Sequence, residues 1–220
     1  MRRYAGWSLT LLGLAVFLLF TGGCGSSKPS RFYTLNPMVP ASSSGSVRNT
    51  PLSGSCPTIG IVLVEIPDYL DRPQIVTRNA DNGLKIAEFD RWGGELQKDI
   101  ARVLAETMST SLTGNSIFIQ TGRRAIPADY RITVHVTRFE GIPGNAIWLK
   151  AMWTILEKDG RHVVVRGELD HREPVPGSDY EATVAAMSRA VDRLGKEIAG
   201  AVKPMLTRDV GTQQAGASRQ

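Results

Sequence analysis

Cys24 is the residue in this sequence best placed for chemistry, because its thiol follows three small residues at the end of an apolar run. The run covers residues 9–20 and is preceded by a short basic start, Arg2-Arg3. As a helix it would be only about 18 Å long, whereas a bilayer core is roughly 30 Å thick. We therefore predict that residues 1–23 are a cleavable signal peptide and not a membrane-spanning helix.

The segment Thr21-Gly22-Gly23 followed by cysteine is typical of a bacterial lipobox. The Cys24 thiol would receive diacylglycerol, and after cleavage its new amino group would be acylated with a fatty acid such as palmitate. Two or more acyl chains hold a protein stably, since each buried methylene contributes roughly 0.8 kcal/mol. Gly25 stands where an aspartate would favour the inner membrane, so we expect an anchor in the outer membrane, facing the periplasm. The alternative is an ordinary secretory signal followed by an unrelated cysteine.

Three histidines are the next candidates for catalysis or metal binding: His135, His162 and His171. They lie on predicted strands or just beyond one, and His135 falls on a polar strand face. No spacing here brings together the three ligands that a metal site needs. The sequence contains no Gly-x-Ser-x-Gly elbow, phosphate loop or His-Glu-x-x-His motif. Cys56, the second cysteine, cannot form an internal disulfide once Cys24 is lipidated. We expect no cofactor and no metal.

Glu65, Asp68 and Asp71 lie close together in the sequence, and paired carboxylates can perform general acid–base catalysis. The structural alternative is that the two aspartates hydrogen-bond the backbone of a proline-bounded turn while Arg72 pairs with one of them. We favour this alternative.

The composition indicates one globular domain with flexible segments around it. The formal net charge of +5 is spread along the 220 residues, without the basic stripe that nucleic-acid binding requires. Residues 24–57 are predicted to be a lipid-anchored segment and a flexible Ser/Pro-rich loop, giving the domain a tether of roughly 20 residues. The domain is predicted at 58–204, and a disordered tail at 205–220.

Hydrophobic periodicity predicts seven strands and two amphipathic helices. The predicted strands are 58–65, 74–78, 84–89, 116–120, 130–137, 147–155 and 161–169, and the predicted helices are 93–112 and 179–202. Asn82-Gly83 is predicted to turn a hairpin, Asp90 to cap the first helix and Gly114 to end it, and Lys203-Pro204 to stop the second. The sequence therefore predicts an α/β fold, a two-layer sandwich in which a mixed or mainly antiparallel sheet packs with two helices.

Four further segments carry a family resemblance: Arg31-Phe32-Tyr33-Thr34-Leu35, Ile66-Pro67-Asp68-Tyr69-Leu70-Asp71-Arg72-Pro73-Gln74-Ile75-Val76-Thr77-Arg78, Glu88-Phe89-Asp90-Arg91-Trp92, and Tyr130-Arg131-Ile132 leading to Arg138-Phe139-Glu140. Together with the lipobox, they resemble the PqiC-type family of ABC-transport auxiliary lipoproteins. The resemblance implies a non-enzymatic accessory of a system built around an MCE-domain protein, often with an ABC permease and ATPase. Such systems move lipids or other apolar molecules between the inner and outer membranes. The partner would then be the MCE-domain protein, and a homo-oligomer could match its ring.

We predict a partner interface on the loop after the first strand and at the start of the first helix. Its residues are Tyr69, Leu70, Asp71, Arg72, Arg91 and Trp92. The alternative is that these residues hold the sheet edge to the helix, with Trp92 as a packing residue. Two other functions stay open at this point, a lipid-anchored periplasmic hydrolase and a structural envelope lipoprotein.

Overall fold

The structure, a computed structural model, describes residues 28–38, 57–79, 82–112, 116–120 and 127–217. The predicted signal peptide, Cys24, Cys56 and Gly114 lie outside these residues. Among the described residues, no helix combines the length and hydrophobicity needed to cross a bilayer.

Eight strands and two helices follow one another in the described part of the chain. The strands are β1 (Arg31–Tyr33), β2 (Thr58–Glu65), β3 (Gln74–Arg78), β4 (Leu84–Trp92), β5 (Ser116–Ile119), β6 (Tyr130–Ile142), β7 (Ala146–Glu157) and β8 (Val163–Pro174). The helices are α1 (Leu96–Ser111), between β4 and β5, and α2 (Tyr180–Ala217), after β8. The seven predicted strands and both helices are confirmed in their predicted order. Strand β1 was not predicted, because three residues are too few to show a period.

The strands form two mixed sheets, where the sequence led us to expect one. The larger sheet has the order β5-β2-β6-β7-β8, with β5, β2 and β6 parallel and the remaining neighbours antiparallel. The smaller sheet has the order β1-β4-β3 and contains the predicted hairpin, with β1 parallel to β4. The predicted α/β sandwich with two amphipathic helices is therefore confirmed.

The helices bury their predicted apolar stripes. α1 packs on β2 and β5, α2 packs on β7 and β8, and the two helices pack on each other. Their contact contains one buried polar pair, in which the Thr107 hydroxyl donates to Asp192 at 3.0 Å. A Cβ on Gly195 would come within 3.0 Å of Thr107, so the close approach of the helices depends on a residue without a side chain.

The predicted cap of the first helix is wrong. β4 continues to Trp92, and the buried carboxylate of Asp90 accepts from the Tyr33 hydroxyl at 2.9 Å and pairs with Arg31 at 2.8 Å. Because strand β1 uses this carboxylate, α1 begins only at Leu96, and Glu95 at its N-cap makes no side-chain cap bond.

The predicted end of the second helix is also wrong. Pro204 lies inside α2, and the backbone of residues 205–217 is helical where the sequence indicated a disordered tail. A proline nitrogen cannot donate to the carbonyl four residues earlier, which here belongs to Gly200. Gly200 is exposed and no other group lies within 4 Å of where its Cβ would be, so water can satisfy the carbonyl.

Candidate functional site

The predicted partner surface centres on the loop between β2 and β3. Its backbone forms a tight turn, in which the Leu70 N–H donates to the Pro67 carbonyl at 2.9 Å and the Asp71 N–H donates to the Asp68 carbonyl at 3.2 Å. The Leu70 side chain is only 2% exposed and packs in the core. The loop is therefore fixed on the domain at its centre.

The buried carboxylate of Glu140, on β6, also holds this loop in place. It accepts hydrogen bonds from the Tyr69 hydroxyl at 2.7 Å, Arg78 Nε at 2.6 Å, Arg138 Nε at 3.0 Å and the Phe139 N–H at 3.1 Å. Burial and the hydrogen bond to Glu140 raise the pKa of Tyr69, so the phenol keeps its proton. The network joins the loop, the hairpin and the large sheet, and makes the loop a rigid element.

Glu140 lies in a segment that carries the family resemblance, but its role in holding the loop was not predicted. The available signal was a carboxylate next to the fully buried Phe139, in a strand whose odd–even pattern is interrupted between Val136 and Arg138. An irregularity of this kind changes which residues face the interior. A buried charge also needs several partners, and here they come from three separate elements of the chain.

The six predicted interface residues divide between core and surface. Leu70 and Trp92 are core residues, Trp92 being 5% exposed, as in the packing alternative. Asp71 is exposed, and Tyr69, Arg72 and Arg91 are half-buried. The Nε atoms of both arginines are buried and have no hydrogen-bond partner. That these surface residues bind a partner stays a prediction.

The loop carboxylates do not make the contacts that we expected from the sequence. Arg72 forms no ion pair with Asp68 or Asp71 within the described residues. The turn uses the backbone carbonyl of Asp68 where we expected its carboxylate. Glu65 is paired instead with His135 on the neighbouring strand, at 3.1 Å.

Each histidine lies beside one carboxylate. His135 pairs with Glu65 and His171 with Glu173, both at 3.1 Å, and His162 pairs with Asp159. The backbone N–H groups of the turn lower the pKa of Asp159 to about 2. No serine hydroxyl in the described ranges bonds to a histidine, and no three His, Cys, Asp or Glu side chains there are grouped to hold a metal.

The chain that follows the predicted lipid attachment is bound to both helices. The Leu35 N–H donates to Asp99 Oδ2 at 2.6 Å, the Leu35 carbonyl accepts from Arg102, and the Asn36 N–H donates to Ser188 Oγ at 3.0 Å. The Leu35 side chain is fully buried. We call this set of contacts the anchor clamp. β1 and Leu35 are therefore part of the fold, although the domain was predicted to begin only at residue 58.

Comparison with known families accounts for this combination of elements. A family model described as "ABC-type transport auxiliary lipoprotein component" matches residues 33–199, from the end of β1 into α2. The chain belongs to this family. The match covers the anchor clamp, the loop after β2 and the Glu140 network of this auxiliary lipoprotein, and it confirms the resemblance noted in the sequence.

Two solved structures share the fold of the auxiliary lipoprotein. One is the XCC0632 protein of Xanthomonas campestris, from family DUF330, with a TM-score of 0.63 and 17% identity, covering 85% of this chain and 99% of that one. The other is an uncharacterized protein with a TM-score of 0.62 and 16% identity, covering 80% of this chain and 99% of that one. No curated protein matches the sequence significantly. At these identities the two structures show the fold alone.

Proposed function

We propose that this auxiliary lipoprotein is a non-enzymatic component of an ABC-type system, built around an MCE-domain protein, that moves lipids between the inner and outer membranes. It is held at the periplasmic face of the outer membrane by acyl chains on Cys24. The family match supports the transport role, and the anchor clamp is the observation that supports an anchored position for the domain. By fixing Leu35 between two helices, it couples the position of the whole domain to acyl chains on Cys24, eleven residues earlier in the chain.

The loop after β2 is the surface that we assign to the MCE-domain partner. Asp71 is exposed and Arg72 is half-buried on this turn, whose centre is buried at Leu70 and whose flank is held by the bond from Tyr69 to Glu140. A rigid loop loses little conformational entropy on binding, and arginine is enriched among the residues that dominate interface energy. A homo-oligomer that presents several such loops to a ring-shaped partner belongs to the same proposal.

Two experiments test the two halves of the proposal. Intact-mass analysis of protein purified from outer-membrane fractions is expected to show loss of residues 1–23 and acyl chains on Cys24. A photo-crosslinking amino acid in place of Asp71 is expected to capture an MCE-domain protein in living cells. The same probe in place of Glu168, which is half-exposed on β8, is the matched control and should capture none. Equal capture at both positions would contradict the assignment of the loop.

A further inference from the structure

We propose that the outer face of β1, around Phe32, rests on the surface of the membrane that carries the anchor. This inference rests on the proposed lipidation of Cys24 and adds an orientation to it. The side chain of Phe32 is 66% exposed, more than any other large hydrophobic residue in the described part of the chain. In a soluble domain, an aromatic ring exposed to this degree is a candidate anchor for a partner surface or a membrane interface.

Chain length restricts which side of the domain can meet the membrane. Residues 25–31 join Cys24 to the first residue of β1 and span at most about 25 Å when fully extended. A domain of this size is roughly 40 Å across. Because the anchor clamp fixes Leu35 in the core, the chain cannot peel away from β1 to lengthen this connection. The β1 side of the domain therefore stays within about 25 Å of the bilayer.

Two cations accompany Phe32, one in the strand register and one in the sequence. Arg91 lies directly opposite Phe32 in the β1–β4 register and shares its face of the small sheet. Neither Arg91 nor the exposed Lys28, four residues before Phe32, forms an ion pair within the described residues. Aromatic rings flanked by Lys and Arg are suited to the interface of an anionic lipid surface.

The acidic groups near β1 act on its other face. Arg31 pairs with the carboxylate of Asp90, and Asp179 and Glu181 act electrostatically on Arg31 and Tyr33. Alternate residues of a strand point to opposite faces, so Arg31 and Tyr33, together with their partner Asp90, lie on the side away from Phe32. Phe32 and Arg91 therefore form a face of apolar and positive character. This places Arg91 at the membrane and leaves Asp71 and Arg72 for the protein partner.

The test uses the purified lipidated protein, reconstituted through its own anchor into phosphatidylcholine vesicles with about 30% phosphatidylglycerol. The Phe32→Trp variant reports on the β1 face. Met152→Trp is the matched control, since Met152 is 48% exposed on the large sheet. The emission of the wild-type protein is subtracted from that of each variant. Brominated lipid is then expected to quench the indole fluorescence of Phe32→Trp about twofold or more. Iodide in the solvent is expected to quench it several-fold less than it quenches the indole of Met152→Trp. Combining Phe32→Trp with Arg91→Glu should make the indole more accessible to iodide. Combining it with Arg166→Glu, on β8, should not.

The outcomes separate this inference from the proposed function. If the protein reconstitutes but the indole from Phe32→Trp is as open to iodide as that from Met152→Trp, the membrane contact is overturned and the anchor stands. If the indole becomes shielded only when a co-purified protein is added, the face is a protein interface and the inference is again overturned. If the protein carries no lipid and does not reconstitute, both proposals fail.

Discussion

The backbone N–H of Leu35 donates to the carboxylate of Asp99 at 2.6 Å, across 64 residues of sequence. The same carboxylate pairs with Arg102, whose guanidinium also donates to the Leu35 carbonyl. One aspartate thus holds both the peptide that leads from the predicted lipid and the arginine that fixes its other side. In this auxiliary lipoprotein, the segment that follows the predicted anchor is therefore held in the fold from β1 onward.

Asp99→Ala is expected to weaken the anchor clamp. It leaves the Leu35 N–H and the Arg102 guanidinium without their acceptor, which should lower the free energy of unfolding by about 1–3 kcal/mol. Urea denaturation at neutral pH measures this loss. Glu106→Ala is the matched control, because Glu106 pairs with the same Arg102 at 3.0 Å from an exposed position. It should change stability by only about 0.5 kcal/mol. Equal losses of unfolding free energy for the two variants would show that the anchor clamp stabilises the domain no more than a surface ion pair does.

Glu140→Gln is expected to be far more damaging than Glu168→Gln. Glu140 is fully buried between Arg78 and Arg138, and neutralising it leaves two guanidinium groups without their counter-charge. Removing one partner of a buried ion pair costs about 3–5 kcal/mol. Glu168 pairs with Lys150 on the surface, so its substitution should cost at most about 1 kcal/mol. A loss below about 1 kcal/mol for Glu140→Gln would mean that the network does not hold the loop.

Stability should fall in acid through Glu173, which joins β8 to α2. Burial alone would raise the pKa of this carboxyl, but the hydrogen bonds from Arg189 at 2.6 Å and His171 at 3.1 Å lower it overall. A lowered pKa gives stability that is present above the unfolded value of 4.5 and is lost as pH falls through the folded value. Glu173→Gln should cost about 1.5–3 kcal/mol at pH 7 and progressively less below about pH 4. A gap between wild type and variant that is constant from about pH 7 to 3 would contradict this assignment.

Two glycine substitutions should act in opposite directions. A Cβ at Gly141 in β6 would lie 1.9 Å from the carbonyl oxygen of Ala146 across the hairpin, and backbone cannot move aside cheaply. Gly141→Ala should therefore destabilise the protein by about 1–3 kcal/mol. Gly200 lies inside α2 with nothing within 4 Å, so Gly200→Ala should stabilise it by up to about 1 kcal/mol. Thermal unfolding measures whether each variant is more or less stable than the wild type. A change in the same direction for both variants would contradict the packing described.

Local patterns in the sequence account for most of the elements. β6, β7 and β8 form consecutive hairpin pairs, so alternation and turn residues within one stretch are enough to predict them. The small hairpin was predicted in the same way, from two strand-like stretches on either side of a loop rich in Asn, Asp and Gly, but Gly83 does not have the positive φ of the predicted Asn82-Gly83 turn. The apolar stripes of both helices also repeat within a few residues, at a spacing that only a helix places on one side.

Apart from the helix end predicted at Pro204, the errors concern features that distant parts of the chain create together. β1 exists because Arg31 and Tyr33 reach Asp90, 57 residues or more away, which also removes Asp90 from its predicted role as a helix cap. The division into two sheets depends on which strands pair with each other. The local hydrophobic period of a strand does not determine its neighbours. Glu140 could not be assigned, because its partners Tyr69 and Arg78 become neighbours only in the fold.

Affinity purification of the lipidated protein from gently solubilised membranes, through a tag on its polar C-terminus, tests the central claim most directly. Mass spectrometry of the proteins that accompany it, compared with a Cys24→Ser control, identifies the partner. The proposed function predicts that an MCE-domain protein of an ABC-type transport system is enriched with the lipidated chain and not with the control. Recovery of the protein alone, with its acyl chains intact, would contradict the claim that it serves such a system.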